Sequence, residues 1–499
     1  MNLDIWLPAL VLLSSLFTGI IIFFLHEQSV RLRTTLNLLG ACIKVAAVHF
    51  MAYRLFVLDI IHEMSFNMGL GFDFVIRVDF LSLMFLSLSS NLWLVTTLYA
   101  IGYLEKSPNR SRFFGFFSLC VTASTGIAMA GNLITFFIFY EFLTLTTYPL
   151  VVHRETKAAL DAGRTYLWYT ILGGSILFVG VVWLQVLAGP LDFVDSGVLQ
   201  SLGNEHYFSL KTIFTLLIIG LGVKAALIPL HGWLPVAMIA PAPVSALLHA
   251  VAVVKAGAFG IVRVVFDVFE RDFAGSLGLL EPLAIIAAIT IIYGSIRALT
   301  QTDLKKRLAY STVSQVSYIT IGAAMIAPFS TVGAIVHLVH QGIMKITMFF
   351  CAGNIAETLG LHNIRELKGI ARRMPLTAAM FTIAAFGMIG VPPMAGFISK
   401  WYLGMGGLGS ANSWVLGVLI LSSILNAAYF LPVVHTMWFE KPDREWKTLR
   451  KSRYEAPWML LAPPAFTSGA ALLAGLFAAW EWSPLGVAIQ IATGMGVYP

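Results

Sequence analysis

Long apolar runs separated by short charged stretches repeat from one end of the chain to the other. Fourteen runs predict membrane-crossing helices, near 5–25, 35–57, 80–101, 113–130, 132–150, 165–188, 211–230, 242–264, 280–299, 308–327, 331–356, 376–405, 413–437 and 457–481. A crossing takes about 20 apolar residues. In hydrocarbon only helices and closed barrels keep every backbone polar group bonded, and runs this long and continuous read as helices. Two are interrupted. The seventh carries Lys224 and then Pro229 and Pro235, in Leu221-Gly-Val-Lys224-Ala-Ala-Leu-Ile-Pro229-Leu-His231-Gly-Trp233-Leu-Pro235. The twelfth reads Gly390-Val-Pro392-Pro393-Met-Ala-Gly-Phe-Ile-Ser-Lys400. Broken helices at matching places in two halves of a membrane protein point to an ion-transport site.

The pattern predicts an all-α polytopic membrane protein of about fourteen helices. The breaks lie five spans apart, so helices 4–8 and 9–13 are expected to form two five-helix repeats. An odd number of spans per repeat inverts the second copy. The expected divisions are 1–112 (helices 1–3), 113–270 (first repeat), 271–440 (second repeat) and 441–499 (a basic loop and helix 14).

Composition agrees: 58% of the 499 residues are hydrophobic and 11% charged, against roughly 25% charged in soluble domains. The formal charge of +7 would suggest nucleic acid in a soluble protein, but its distribution is a topology signal. Arg31/Arg33, Lys106/Arg110/Arg112, Arg154/Lys157/Arg164, Lys305/Lys306/Arg307 and Arg365/Lys368/Arg372/Arg373 mark alternate loops. A last basic loop holds Lys441, Arg444, Lys447, Arg450, Lys451 and Arg453, whereas Asp192/Asp195/Glu205 and Asp267/Glu270/Asp272 mark acidic ones. Basic loops stay in the cytoplasm, so both termini are expected outside, in a multi-pass plasma-membrane protein. Met1-Asn2-Leu3-Asp4 lacks the basic start of a cleavable signal peptide. Cys42, Cys120 and Cys351 stand far apart, which argues against a cysteine-held zinc or iron–sulfur site. Nucleotide-binding fingerprints are missing too, so no metal and no cofactor is expected.

An ionisable group within a span is a functional candidate by default. Glu141 sits mid-span in the fifth run, and Lys224 is its natural partner. At ~5 Å and an effective dielectric of ~20, opposite charges attract by roughly 3 kcal/mol. Burial penalises the ammonium ion while an adjacent carboxylate favours it. Such a lysine can release its proton when its partner moves or is protonated, which arginine cannot do. Two blander readings stand beside this switch: a neutral acid bonded to Thr144 or Thr146, and a static ion pair. His249 and Lys255 follow in the eighth run. His337 and His340 lie on one helix face at i and i+3, with Lys345 about two turns on; imidazoles near neutral pH can pass protons along. Lys400 completes the row, its alternative being a lysine snorkelling from a helix end. Lys44 and His435 are assigned to that snorkelling class, with the Lys44 ammonium expected to reach water. The row is expected to run between the repeats, parallel to the membrane plane.

Several blocks together resemble the proton-pumping and antiporter membrane family shared by complex I and Mrp-type cation/proton antiporters. They are Gly71–Phe85, with Phe74-Val-Ile-Arg-Val-Asp79 inside it, the Glu141 segment, Lys224–Pro235, Pro241-Ala-Pro-Val-Ser-Ala-Leu-Leu-His249, Asp303–Gln315, His337–Lys345 and Gly390–Lys400. The resemblance covers roughly 70–440. It implies fourteen helices, inverted five-helix repeats, broken helices 7 and 12, a Glu141–Lys224 coupling pair and a proton path through Lys255, His337, His340 and Lys400. Lys400 and a chain that stops soon after helix 14 look most like the D-type subunits of the Mrp branch. The implied partners are other membrane subunits of a hetero-oligomeric complex, the lipid bilayer, protons, and sodium or another cation. Two functions follow: a subunit of a cation/proton antiporter, or a proton-pumping component of a complex powered by electron transfer in a peripheral arm. A membrane scaffold without transport would leave the buried charges unexplained.

Overall fold

The structure, a computed structural model, describes residues 3–69, 71–104, 107–193, 197–443 and 455–494. Lys106, Asp195, Arg444, Lys447, Arg450, Lys451 and Arg453, which entered the charge-alternation argument, lie outside the described residues. Helices stand at every predicted span. In chain order they are α1 (Leu3–Phe23), α2 (Val30–Leu58), α3 (Phe80–Tyr103), α4 (Arg110–Met129), α5 (Leu133–Val151), α6 (Lys157–Ala188), α7 (Tyr207–Lys224), α8 (Ala242–Ala250), α9 (Val253–Arg263), α10 (Leu280–Leu299), α11 (Leu304–Ala323), α12 (Pro328–Leu359), α13 (Pro375–Ile389), α14 (Ala395–Gly409), α15 (Trp414–Trp438), α16 (Trp458–Leu476) and α17 (Pro484–Gly494). Eleven helices are long and apolar enough to cross a membrane by length and composition. The predicted spans outside that set are the split pairs α8/α9 and α13/α14, and α11, which is studded with buried serine and threonine.

Helix starts follow local chemistry. Asp79, Asn132, Thr156 and Asp303 each accept a backbone N–H of the following first turn, which satisfies an otherwise unpaired donor. Both expected breaks are present. Pro229 brings no N–H to continue α7, and Leu227 N–H turns back to the Gly222 carbonyl at 2.9 Å. At the second, Gly390 takes φ +94°, and Gly390 and Val391 N–H both return to the Phe386 carbonyl at 3.0 Å. A left-handed residue just past a helix end is where glycine is favoured.

Four features differ from the expectation. The eighth span is split at Val251–Ala252, where both N–H groups bond the Leu247 carbonyl. Helix α6 begins at Lys157, so Lys157 and Arg164 belong to a helix rather than a loop. A β-hairpin joins α2 to α3: β1 (His62–Asn67) pairs antiparallel with β2 (Asp73–Val78), with Met64 opposite Ile76. The fourth difference is Lys44. It has no exposed surface, because the face of α2 that carries it is covered by α1, α3 and α4, and its ammonium bonds hydroxyls instead of reaching water. His435, by contrast, is 64% exposed at its side chain.

The core centres on α12, nearly all of whose residues are buried. Tyr99 donates to its Phe350 carbonyl at 3.0 Å, and its Asn354 donates to the Leu460 carbonyl of α16 at 2.8 Å. On the hairpin side, buried Arg263 at the end of α9 pairs with Asp79 at 2.8 Å and Asp267 at 2.7 Å. Outer helices such as α2, α6 and α15 keep apolar faces exposed, among them Trp168, Phe178 and Ile424, as lipid-facing surfaces do.

The packing around two buried ionisable groups can be tested by stability. Glu455 is buried and caps α13, accepting Leu376 N–H at 3.0 Å and Thr377 N–H at 2.6 Å. Glu455→Ala is expected to cost about 1–2 kcal/mol, seen as a lower melting temperature in detergent, with Glu455→Gln milder. His153, just beyond α5, packs edge-on against Phe113, and burial, then Arg112, push its imidazole down to about 4 from 6.5. In the window between those values the unfolded chain binds a proton that the folded one does not, so stability falls as pH is lowered from 6.5 towards 4 and levels off below. The slope is at most about 1.4 kcal/mol per pH unit, and thermal unfolding of His153→Phe should lose it.

Candidate functional site

Glu141 lies between α5 and α6. Its Oε1 is buried with no hydrogen-bond partner. A Cβ on Gly174 of α6 would overlap that oxygen, so glycine is what lets the carboxylate lie against the neighbouring helix. Thr144 and Thr146 donate backwards to the Tyr140 and Phe142 carbonyls, not to Glu141, so the hydroxyl partners of the neutral-acid reading are engaged elsewhere. Glu141 shares its helical stripe with Ile138 and Leu145, which are 39% and 64% exposed; the carboxyl therefore sits near the outer edge of the chain.

Lys224 is the last residue of α7. Its ammonium donates to the Tyr140 carbonyl and lies 3.4 Å from the centre of the Tyr140 ring. Tyr140 in turn donates its hydroxyl to the Gly220 carbonyl at 2.9 Å. The residue before Glu141 thus grips α7 at both ends of its last turn. Trp233 Nε1–H fills the Val223 carbonyl at 2.7 Å. Glu141 and Lys224 lie close enough to interact electrostatically, yet they make no direct ion pair among the described residues. What holds the Lys224 ammonium is a backbone carbonyl, an aromatic face and the negative end of its own helix dipole.

Lys255 stands in the first turn of α9 and donates to the Leu338 carbonyl of α12 at 2.7 Å. Gly257 brings this helix onto the broken end of α7: a Cβ there would overlap Ala225 N and stand 2.7 Å from the Leu221 carbonyl oxygen. His337 spans two elements, with Nδ1 2.8 Å from Ser399 Oγ and Nε2 3.2 Å from the Gln315 carbonyl, and its ring stacks on Tyr318. Lys400 donates to the Met388 and Ile389 carbonyls at 3.0 and 2.9 Å and to Ser423 Oγ at 3.1 Å. These are the open carbonyls at the end of α13, so Lys400 serves the break it flanks, whereas Lys224 reaches across to α5. It points inward, unlike a snorkelling lysine. Lys345 donates to Ser311 Oγ at 2.8 Å. Tyr429 Oη lies 3.0 Å from the same oxygen and donates its proton to Asn426 Oδ1, and the Asn426 amide reaches the Met388 carbonyl at 3.4 Å. A polar chain therefore joins Lys345 to Lys400.

His249 is fully buried with no hydrogen-bond partner at either ring nitrogen, and His340 is fully buried beside the Ala395 backbone. The Gln341 amide is unpartnered too, and the Tyr318 hydroxyl lies among Gln315, Ser422, Ser423 and Asn426. Buried polar atoms are nearly always satisfied, if not by protein then by ordered water, and these orphans lie among the lysines and histidines. Ser311, Gln315, Tyr318, Asn426 and Tyr429 were not among the candidates from sequence. Three of them carry a readable signal: Ser311, Gln315 and Tyr318 fall at i, i+4 and i+7 on one buried face of α11.

The Gly257 contact generates a test. Gly257→Ala must push α9 off α7 and is expected to cost about 1–3 kcal/mol, as overpacked sites do. Gly417→Ala, where a Cβ meets nothing within 4 Å, should be neutral. Thermal unfolding of the two variants in detergent makes the comparison.

Comparison with known proteins places the chain. Residues 130–426 match the family described as NADH:quinone oxidoreductase/Mrp antiporter, TM, and residues 65–114 match NADH-Ubiquinone oxidoreductase (complex I), chain 5 N-terminus. NADH-quinone oxidoreductase subunit N of Desulforudis audaxviator (strain MP104C) is 34% identical over 77% of this chain and 78% of its own length. The D-type subunit of the Na(+)/H(+) antiporter of Bacillus subtilis (strain 168) is 29% identical over 78% of this chain and 77% of its own. The A/B subunit of the probable K(+)/H(+) antiporter of Rhizobium meliloti (strain 1021) is 30% identical over 83% of this chain, which spans 41% of that longer protein. A component of the Mrp complex from Dietzia sp. DQ12-45-1b superposes with a TM-score of 0.84 at 22% identity, over 100% of this chain and 99% of that one. The membrane-bound sulfane sulfur reductase, an archaeal respiratory membrane complex, contains a chain with a TM-score of 0.85 at 22% identity over the same shares. With the match to its transmembrane module covering more than half the sequence, the chain belongs to the NADH:quinone oxidoreductase/Mrp antiporter membrane family.

Proposed function

We propose that this chain is the proton-translocating membrane subunit of a multisubunit cation/proton antiporter, with sodium, the cation named for the Bacillus subtilis relative, as the exchanged ion. The observation that carries the reading is an inward-held lysine at each of the two helix breaks. Lys224, at the end of α7, donates to the Tyr140 carbonyl of α5, and Lys400, past the end of α13, donates to the Met388 and Ile389 carbonyls. Both ammonium groups rest on neutral carbonyls rather than in a direct ion pair among the described residues, so neither has its proton fixed by a salt bridge.

In this reading Glu141 sets the protonation of Lys224 through space. A carboxylate close by favours the ammonium, and a protonated or displaced one releases it. The proton then passes by way of Lys255, His249, His337, His340 and Lys345 to Lys400, with water bridging the unpartnered ring nitrogens and amides. Moving one charge across the membrane is worth about 2.3 kcal/mol per 100 mV, so the path requires a gate, and the Glu141–Lys224 pair supplies it. The divisions 1–112, 113–270, 271–440 and 441–499, the inverted five-helix repeats, the count of fourteen crossings and the outward termini belong to the same reading. Its support is the pair of broken helices in spans seven and twelve, each with an inward-held lysine.

A second reading has its own support. The relative that is 34% identical is named as part of NADH-quinone oxidoreductase, and the same path can be driven by electron transfer in a peripheral arm. The composition of the purified complex separates the two: small antiporter subunits accompany the first, iron–sulfur and quinone-handling subunits the second.

Lys224→Ala and Glu141→Ala are each expected to abolish coupled cation/proton exchange in everted vesicles while the protein still inserts. Lys224→Arg should fail as well, because guanidinium keeps its proton. Exchange at the normal rate in Lys224→Ala would sink the switch.

A further inference from the structure

Lys44 lies outside the row of lysines and histidines, in the bundle formed by α1–α4. It is fully buried. Its ammonium donates to Ser15 Oγ of α1 at 2.7 Å and Thr125 Oγ1 of α4 at 3.1 Å, and it faces the Trp93 ring of α3 at 5.2 Å. Ser15 and Thr122 are joined at 2.7 Å. Among the described residues no acidic or basic side chain of α1, α3 or α4 lies against it. On its own helix Cys42 and His49 are exposed, and the arginines Arg54 and Arg33 stand about three turns away on either side.

A polar column leads to this lysine from one side of the membrane. At the basic-loop end, Arg33 is 2% exposed and donates to Ser111 Oγ at 2.8 Å. Arg33, with Arg110 and Phe114, also lines a cavity of about 340 Å³ between α2, α3, α4 and the start of α16. One turn further along α2, Asn37 is fully buried and its Oδ1 has no partner; along α4, the buried Ser118 hydroxyl has none either. A Cβ at Gly40 would overlap Thr18 Oγ1, so glycine keeps a further hydroxyl in the column. Beyond Lys44 the same face of α2 turns apolar, with Ala47, Val48, Met51 and Leu55 buried.

We infer that this column is a water-filled inlet, open at the basic-loop side and closed beyond Lys44, and that Lys44 is a proton-binding site separate from the row that starts at Glu141. Unpartnered buried Asn and Ser oxygens strung between a cavity and a buried amine are what an ordered water file would satisfy. The hydroxyls around Lys44 accept from an ammonium and can equally donate to a neutral amine, so both protonation states find partners without any residue moving.

Cysteine accessibility in the assembled complex tests the inlet. Cys42, Cys120 and Cys351 are first replaced by alanine, then Asn37→Cys, Ser118→Cys and Val48→Cys are introduced singly. A membrane-impermeant methanethiosulfonate-ammonium reagent is added to everted or to right-side-out vesicles. Asn37→Cys and Ser118→Cys should be modified from the basic-loop face only, and Val48→Cys from neither. If the first two are no more reactive than Val48→Cys, or react equally from both faces, the inlet is overturned. Proton binding is tested by Lys44→Met and Lys44→Arg in complexes shown to retain all subunits. Both should slow exchange by roughly tenfold or more, as loss of a proton-transfer group does, and both should flatten its dependence on pH at the basic-loop side. A normal rate and pH profile in Lys44→Arg would mean that a fixed charge suffices, and proton exchange at Lys44 would be overturned. The role of Lys44 in exchange rests on the transport reading above, but the labelling does not: a wild-type complex that moves no protons would defeat that reading and leave the accessibility result standing.

Discussion

Carbonyl groups left open where a helix breaks inside a membrane have to find a donor, because lipid offers none. The rest of this structure depends on how that need is met at residues 225–232 and 390–394. At the second break the Lys400 ammonium answers it on the Met388 and Ile389 carbonyls. At the first, Leu227 N–H, Trp233 Nε1–H and the Tyr140 hydroxyl fill the Gly222, Val223 and Gly220 carbonyls, and the Lys224 ammonium crosses to the Tyr140 carbonyl of α5. Either way an ammonium bonded to backbone places a titratable group at the membrane's interior. Proline and glycine make the breaks, and a lysine stands beside each, held by the broken helix itself at 400 and by its neighbour at 224.

The same logic explains the small residues near the site. Gly174 makes room for the Glu141 carboxyl, and Gly257 lets α9 touch the end of α7. Tyr140 closes the arrangement by accepting from Lys224 and donating to Gly220. These contacts are short and backbone-to-backbone or side chain-to-backbone. The geometry around the lysines is therefore set by helix packing more than by charge pairing.

Much of this was legible in the amino-acid order because membrane helices write themselves as apolar runs, and because Pro229 and Pro392-Pro393 cannot be continued through. What stayed hidden has physical causes. The split in the eighth span falls at Val251–Ala252, where no proline or glycine marks it; packing on α12 overrides local preference. The hairpin at His62–Val78 is short and lies between helices, where alternation over six residues is a weak signal. Lys44 looks from α2 alone like a lysine that reaches water, because one helix does not reveal that three others cover that face. Ser311, Gln315 and Tyr318 show the opposite case: the spacing is visible, but only the neighbouring Lys345 and His337 give it meaning.

The hairpin has a use of its own. Its base is stitched to the membrane domain, with Val75 N–H on Thr135 Oγ1 and Gly131 N–H on the Val75 carbonyl, both at 2.9 Å. Gly69 and Gly71 beside its turn take φ +78° and +76° with no atom within 4 Å of an added Cβ, while the Gly71 carbonyl accepts from Gln185 of α6 at 3.4 Å. The hairpin emerges opposite Arg33 and Arg110, across the length of α2. An epitope grafted beside Gly69 would lie at the hairpin end of the helices, and antibody binding to intact cells would then read the polarity of the whole molecule directly.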